Sequence, residues 1–417
     1  MHYFNYRDGR LYCEEVDIKK IAESVGTPFY LYSYRTLVRH FKSFSDAFQD
    51  INHIICFSVK ANSNIAILRI FSKLGGGADI VSGGELYRAL KAGVDPKKIV
   101  FSGVGKRMDE MEFALNSDIL MFNVESHQEL LELNRIAERI NKKASIAIRV
   151  NPDIDPKTHP YISTGLRENK FGIDIDTALE EYSLAKKLPN IEPIGISCHI
   201  GSQLLQIDPF IDSLKRLLSL LEKLKEMGIK IRYLDIGGGL GIRYKDEEPP
   251  HPKQYADAIK KEIKDLDITL ILEPGRVIVG NAGILVTKVL YRKEQYGKIF
   301  FIVDAGMNDL IRPSLYGSYH EILPVEKDKK EEVIADIVGP ICESADFFAK
   351  KRKVPLFEPG DLVAIMSAGA YGFSMSSNYN SRPRPCEVLV KGSEFFVIRK
   401  RETYDDLIRG ESIPEFL

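Results

Sequence analysis

From His53 to Gly275, short β-branched or apolar runs alternate eight times with longer stretches of helical period. The runs are HIICFSVK, ADIVS, KIVFSG, ILMFNVE, SIAIRVN, IGISCHIG, IRYLDIGGG and TLILEPG. Among the segments between them, PFIDSLKRLLSLLEKLKEMG is the clearest helix: its leucines recur at three and four residues until Gly228 stops it. Eight strand–helix units in one run predict a (β/α)8 TIM-type barrel. An open doubly wound sheet is the alternative, because period alone does not show closure.

After residue 281 the rhythm changes. GILVTKVLYRKE, KIFFIVDAG, DIVGP, DLVAIMSAG, CEVLVKG and EFFVIRKR are strand-like pieces broken by Gly, Pro and charged turns, and helical segments are scarce. They predict a β-rich, barrel-like C-terminal domain. The opening HYFNYRDGRLYCEEV reads as a hairpin about Asp8-Gly9 and is assigned to that domain. The expected organisation is therefore a barrel over 28–280 and a β domain from 1–27 plus 281–417. A chain of 417 residues is long enough for two such cores.

Composition removes several function classes. Lys plus Arg number 58 against 59 for Asp plus Glu, a net charge of -1, so there is no polyanion-attracting field and nucleic acid is not an expected partner. No apolar run approaches the ~18 residues of a membrane span, and the N-terminus lacks the pattern of a secretory signal. The five cysteines are scattered, as free thiols in a reducing cytoplasm would be. The eight histidines form no metal-ligand spacing, so no metal is expected.

In barrels of this type the active site collects at the carboxyl ends of the strands. Here those ends carry Lys60, Glu125, Arg149 with Asn151, His199, Gly237-Gly238-Gly239, and Glu273-Pro274-Gly275-Arg276. A lysine at such a rim is partly desolvated, which favours the neutral amine that condenses with a carbonyl. The bland reading of Lys60 is a surface side chain capping a strand, and only its company argues against that. DIGGGLG offers backbone N–H groups to a phosphate, although a glycine run also serves tight turns. It is neither a Walker A loop nor a dinucleotide fingerprint. In EPGR the acid can hydrogen-bond a protonated ring nitrogen, while Gly275 and Arg276 meet phosphate or carboxylate. A structural Glu–Arg ion pair is the competing reading.

The motifs FSVKAN, ADIVSGGEL, RVNPDIDPKTHPYISTG, KFGI, CHIGSQ, LDIGGGLG, EPGR, CESAD and GAYG stand in this order along nearly the whole chain. Together they resemble the fold-type III pyridoxal 5′-phosphate enzymes, and within these the diaminopimelate decarboxylase family. The resemblance implies decarboxylation of meso-2,6-diaminopimelate to L-lysine and CO2, the last step of lysine biosynthesis. It implies that Lys60 carries the cofactor, His199 lies against its ring, and Glu273 faces its ring nitrogen. Its phosphate would meet Gly239, with Gly237 and Gly238 completing the turn, and Ser202, Gly275, Arg276 and Tyr371. Arg276, Arg312, Tyr316 and Tyr371 would hold the substrate, Glu343 its distal ammonium, and Cys342 would donate a proton. Cys342 would come from the neighbouring subunit of a homodimer, with the active sites at the subunit interface. An ornithine- or arginine-type decarboxylase of the same fold is the near alternative; such enzymes carry an aspartate after that cysteine, where this chain has Glu343. Alanine racemases place an arginine at the ring nitrogen. A non-catalytic pyridoxal phosphate carrier would not need the β domain. The insertion NPDIDPKTHPYISTGLRENKFGI, around 152–172, has the length of a functional lid.

Overall fold

The computed structural model describes residues 2–154, 169–327 and 331–417. The chain divides into two compact units, Val38–Arg243 with Glu247–Ile278, and Met1–Leu37 with Tyr244–Asp246 and Val279–Leu417. Most of the insertion read as a lid, 155–168, lies outside the described residues.

The first unit is the predicted closed barrel. Its strands are His53–Ser58, Gly77–Ile80, Ile99–Phe101, Met121–Val124, Ala144–Asn151, Ile191–Ser197, Tyr233–Asp235 and Thr269–Leu272. Each pairs in parallel with the next, and the last returns to the first through Leu270–His53 and Ile271–Ile54. That pairing excludes the open sheet. Inside, Cys56, Val100, Met121, Ala147, Ile194 and Ile271 form an apolar cluster. Gly195 belongs there because a Cβ on it would stand 3.1 Å from both Ala147 Cβ and Met121 Sδ. The leucine-patterned helix is Asp208–Glu226, burying Phe210, Leu214, Leu217, Leu220 and Leu224. It ends before Gly228, at φ +67°, a conformation that glycine adopts without strain.

The second unit is β-rich, as expected, but it begins differently from the sequence reading. The strand Phe29–Ser33, assigned from sequence to the barrel, lies in the second unit's sheet. It runs antiparallel to the start of Gly283–Gln295 and parallel to Cys386–Lys391. Phe29, Tyr30, Leu31 and Tyr32 are all fully buried, so the continuous apolar run reflects a strand covered on both faces. The barrel unit therefore starts at Val38 and not at 28. The strand Phe347–Pro355 was not foreseen either. It is an edge strand whose Lys350, Lys351 and Lys353 break the apolar pattern and guard an open edge. The N-terminal hairpin forms as read, Phe4–Arg7 against Arg10–Cys13, with Asp8 and Gly9 both at positive φ.

Candidate active site

Side chains two apart on a strand share a face. One step beyond the apolar layer, toward the carboxyl ends, the barrel interior therefore carries Ser58, Ser102, Asn123, Arg149, Asp235 and Glu273, two residues after Cys56, Val100, Met121, Ala147, Tyr233 and Ile271. A polar layer sits directly on the apolar one. Asp79 adds to it, fully buried at the end of the second strand.

Lys60 follows the first strand in a single 3₁₀ turn, Val59–Ala61. Its Nζ donates to Asp79 Oδ2 at 2.5 Å. The rim therefore sets the Lys60 amine against a buried carboxylate. Ser58 Oγ is within donating reach of the same Asp79 oxygen, at 2.8 Å, and of the Glu273 carbonyl, at 2.9 Å. Glu273 Oε1 lies 3.3 Å from Ser102 Oγ and 3.4 Å from Asn123 Nδ2. Arg276 donates to Ser202 Oγ at 3.0 Å.

The glycine turn is packed backbone to backbone. A Cβ on Gly238 would stand 2.1 Å from the Glu273 carbonyl, and one on Gly239 would stand 2.3 Å from that of Gly201. The Gly237 N–H donates to Asp235 Oδ1 and the Gly238 N–H to His199 Nδ1, at 2.9 and 3.2 Å. Both amides thus have partners inside the barrel. Burial, reinforced by the charges of Arg149 and Lys60, pushes His199 well below the usual imidazole range. Its Nδ1 accepts from Gly238, so the neutral ring carries its proton on Nε2.

Lys60, Ser102, Arg149, Phe171, His199 and Glu273 line one cavity of about 410 Å³. Its wall is braced by Glu125, which accepts from Gly103 N at 2.7 Å, Arg149 Nη1 at 2.9 Å and Gly172 N at 3.0 Å. Arg149 stacks over Phe171 at 4.9 Å. Behind Glu125, the fully buried Lys106 ammonium donates to Glu129 Oε1 and to the carbonyls of Gly103 and Asn123. Lys106→Ala leaves Glu129 as an uncompensated buried carboxylate and should cost about 3–5 kcal/mol of stability. Urea unfolding of the two proteins measures this; equal midpoints would contradict it.

In the second unit, Arg312 opens the short helix Arg312–Tyr316, which also carries Tyr316. Arg312 is buried, donating to Tyr244 Oη at 3.1 Å and to Ser318 Oγ at 3.0 Å. Ser314 Oγ donates to the Ala345 carbonyl, joining this helix to the loop with Cys342 and Glu343. Asp346 braces that loop from within by accepting from Ile341 N and Met307 N, while Cys342 N donates to Asn380 Oδ1 at 2.8 Å. Tyr379 hydrogen-bonds Glu343. Cys342 and Glu343 themselves are exposed. Tyr371 sits in a loop at φ +54°.

Sequence reading named Lys60, His199 and Glu273, which the fold brings together, but missed Asp79, Ser102, Asn123 and Asp235. A signal was present: a polar residue two positions after the inward apolar one, repeated from strand to strand as C-F-S, V-F-S, M-F-N, A-I-R, Y-L-D and I-L-E.

Residues 34–280 match the family model of the pyridoxal-dependent decarboxylases, pyridoxal binding domain. A diaminopimelate decarboxylase of Aquifex aeolicus is 54% identical over 97% of this chain and 96% of its own length. That of Vibrio cholerae is 53% identical over the whole of both chains. The chain belongs to the diaminopimelate decarboxylase family. The crystal structure of the Helicobacter pylori diaminopimelate decarboxylase complexed with L-lysine superimposes with a TM-score of 0.91 at 47% identity, covering 94% of this chain and 98% of that one. The expected fold and reaction class, a pyridoxal phosphate-dependent carboxy-lyase of barrel and β-sheet units, are thus borne out. The residues fit the cofactor: an amine for an aldehyde, a buried acid for a ring nitrogen, and a guanidinium with a hydroxyl for a phosphate share the carboxyl ends of the strands. No helix among the described residues is long and apolar enough to cross a membrane, and those residues hold no cluster of metal-ligand type.

Proposed function

We propose that this chain removes CO2 from the D-configured end of meso-2,6-diaminopimelate and releases L-lysine. The observation that carries this reading is the single cavity shared by Lys60, His199 and Glu273 in a family member 54% identical to a diaminopimelate decarboxylase. When bound, pyridoxal phosphate supplies a ring that accepts the electron pair left by departing CO2. Lys60 would hold its aldehyde and Glu273 its ring nitrogen. His199, fixed by Gly238 and neutral, offers the ring a flat face without adding charge. Gly239, Gly275, Ser202, Arg276 and Tyr371 would serve the phosphate.

Arg276 and Arg312 would supply guanidinium groups for the substrate's far carboxylate, Tyr316 and Tyr371 would also bind the substrate, and Glu343 would offer an acid to its far ammonium. Cys342 moves a proton to the carbon that has lost CO2. Cys342 and Glu343 are exposed in the single chain, which supports a homodimer in which they complete the partner subunit's site. The buried Cys13, Cys56, Cys198 and Cys386 are free thiols, as a cytoplasmic protein would keep them. Glu343 in place of an aspartate favours diaminopimelate over the ornithine- or arginine-type reading.

The test is CO2 release, with pyridoxal phosphate supplied, from diaminopimelate, ornithine, arginine and lysine in parallel. Only diaminopimelate should react appreciably, because a substrate lacking the far carboxylate forgoes the charge-assisted hydrogen bonds that orient it, a discrimination of about 10⁴ or more. Preference for ornithine would overturn the assignment.

A further inference from the structure

Asp235 and Glu273 end adjacent strands, and both are buried, at 0% and 6% exposure. Asp235 pairs with Ile271, two residues before Glu273, so both acids belong to the polar layer. One amide serves both: Asn123 Nδ2 lies 2.9 Å from Asp235 Oδ2 and 3.4 Å from Glu273 Oε1. Two buried carboxyls that reach one amide nitrogen are close enough for each to disfavour the ionisation of the other, so one of them is set to keep a proton.

The surroundings decide which. Asp235 receives the Gly237 N–H and the Asn123 amide, both at 2.9 Å. Among the described residues, the Glu273 carboxyl has only the long contacts to Ser102 and Asn123. Donors at normal distance stabilise a carboxylate, so Asp235 holds the charge. Burial first, then Asp235 and Asp79, push Glu273 well above the usual carboxylate range, with Lys60 opposing. Of the other titratable neighbours, burial raises the Cys56 and Cys198 thiols and His199 is neutral, while the Arg149 guanidinium is paired with Glu125 at 2.9 Å.

We propose that Asp235 is a positioning residue that keeps a proton on Glu273 and so presents Glu273 as a donor to the pyridine nitrogen of the cofactor. The inference rests on the proposed function only in naming that acceptor. Moving the proton from Glu273 Oε to the nitrogen leaves one pyridinium and two carboxylates, so the charge of the site is unchanged. The pyridinium is then held by two negative charges instead of one.

Infrared difference spectra of the full chain, recorded against pH with Glu273→Gln as the reference, test this without substrate. Before pyridoxal phosphate is added, the wild type should show a protonated carboxyl at pH 7, which disappears when the cofactor binds. In Asp235→Asn the like-charged neighbour is gone, and the midpoint of that carboxyl should fall by at least about one pH unit, tenfold in proton affinity. If Asp235→Asn does not fold, Asn123→Ser keeps both acids but removes their shared donor, and the midpoint should rise. No protonated carboxyl at pH 7, its persistence with cofactor bound, or an unmoved midpoint in the folded variant would overturn the proposal. A failed decarboxylase assay would leave these spectra unaffected, so the two readings fail separately.

Discussion

Lys60→Ala abolishes the visible absorbance of covalently held pyridoxal phosphate and reduces decarboxylation to background. The reason is chemical: Lys60 is the amine that lines the cavity, and alanine has nothing with which to bond an aldehyde. The chain should still fold, because Lys60 sits in a turn after the strand and its partner Asp79 keeps the Ser58 hydroxyl. Circular dichroism checks the fold, and absorbance with borohydride reduction checks the bond. A reducible band that survives in the variant would move the covalent site to another lysine.

The second large effect concerns Cys342. Cys342→Ala alone should lower the rate by roughly 10²–10⁴, the range for a positioned proton donor. Mixing it with Lys60→Ala, two proteins each nearly inactive, should restore activity. If each site draws Lys60 from one subunit and Cys342 from the other, half of the randomly formed dimers are mixed and carry one intact site in two, about a quarter of wild-type activity. Exchange of subunits under mild denaturant followed by assay measures the recovery. No recovery, despite mixed dimers shown by mass spectrometry of differently tagged subunits, would place Cys342 and Lys60 in the same chain's site.

The barrel was legible because its eight strands are short, β-branched and separated by helices of clear period, so each run announced itself locally. Phe29–Ser33 is equally apolar, yet its partners lie beyond residue 282 and at 386–390, and no local pattern tells which sheet it enters. Lys60, His199 and Glu273 stood out as strand-terminal polar residues. Asp79 and Asp235 did not, because the runs ADIVS and IRYLDIGGG continue past them in sequence, and their meaning appears only when eight strands align into layers. In the glycine turn, Gly237 and Gly238 direct their N–H groups to Asp235 and His199, partners that the composition of the run does not reveal.

Phe29–Ser33 also has a consequence for biosynthesis. The ribosome makes this segment early, but one flank must wait for residues 283–286 and the other for 386–390. At 5–20 residues per second it stays unpaired on both edges for on the order of ten to fifty seconds or more. The barrel unit, contiguous apart from one three-residue excursion, ends at Ile278, so its closing strand Thr269–Leu272 is made before any partner of Phe29–Ser33. Nascent chains halted near residue 280 should therefore be the form that holdase chaperones grip, and they should grip it at FYLYS.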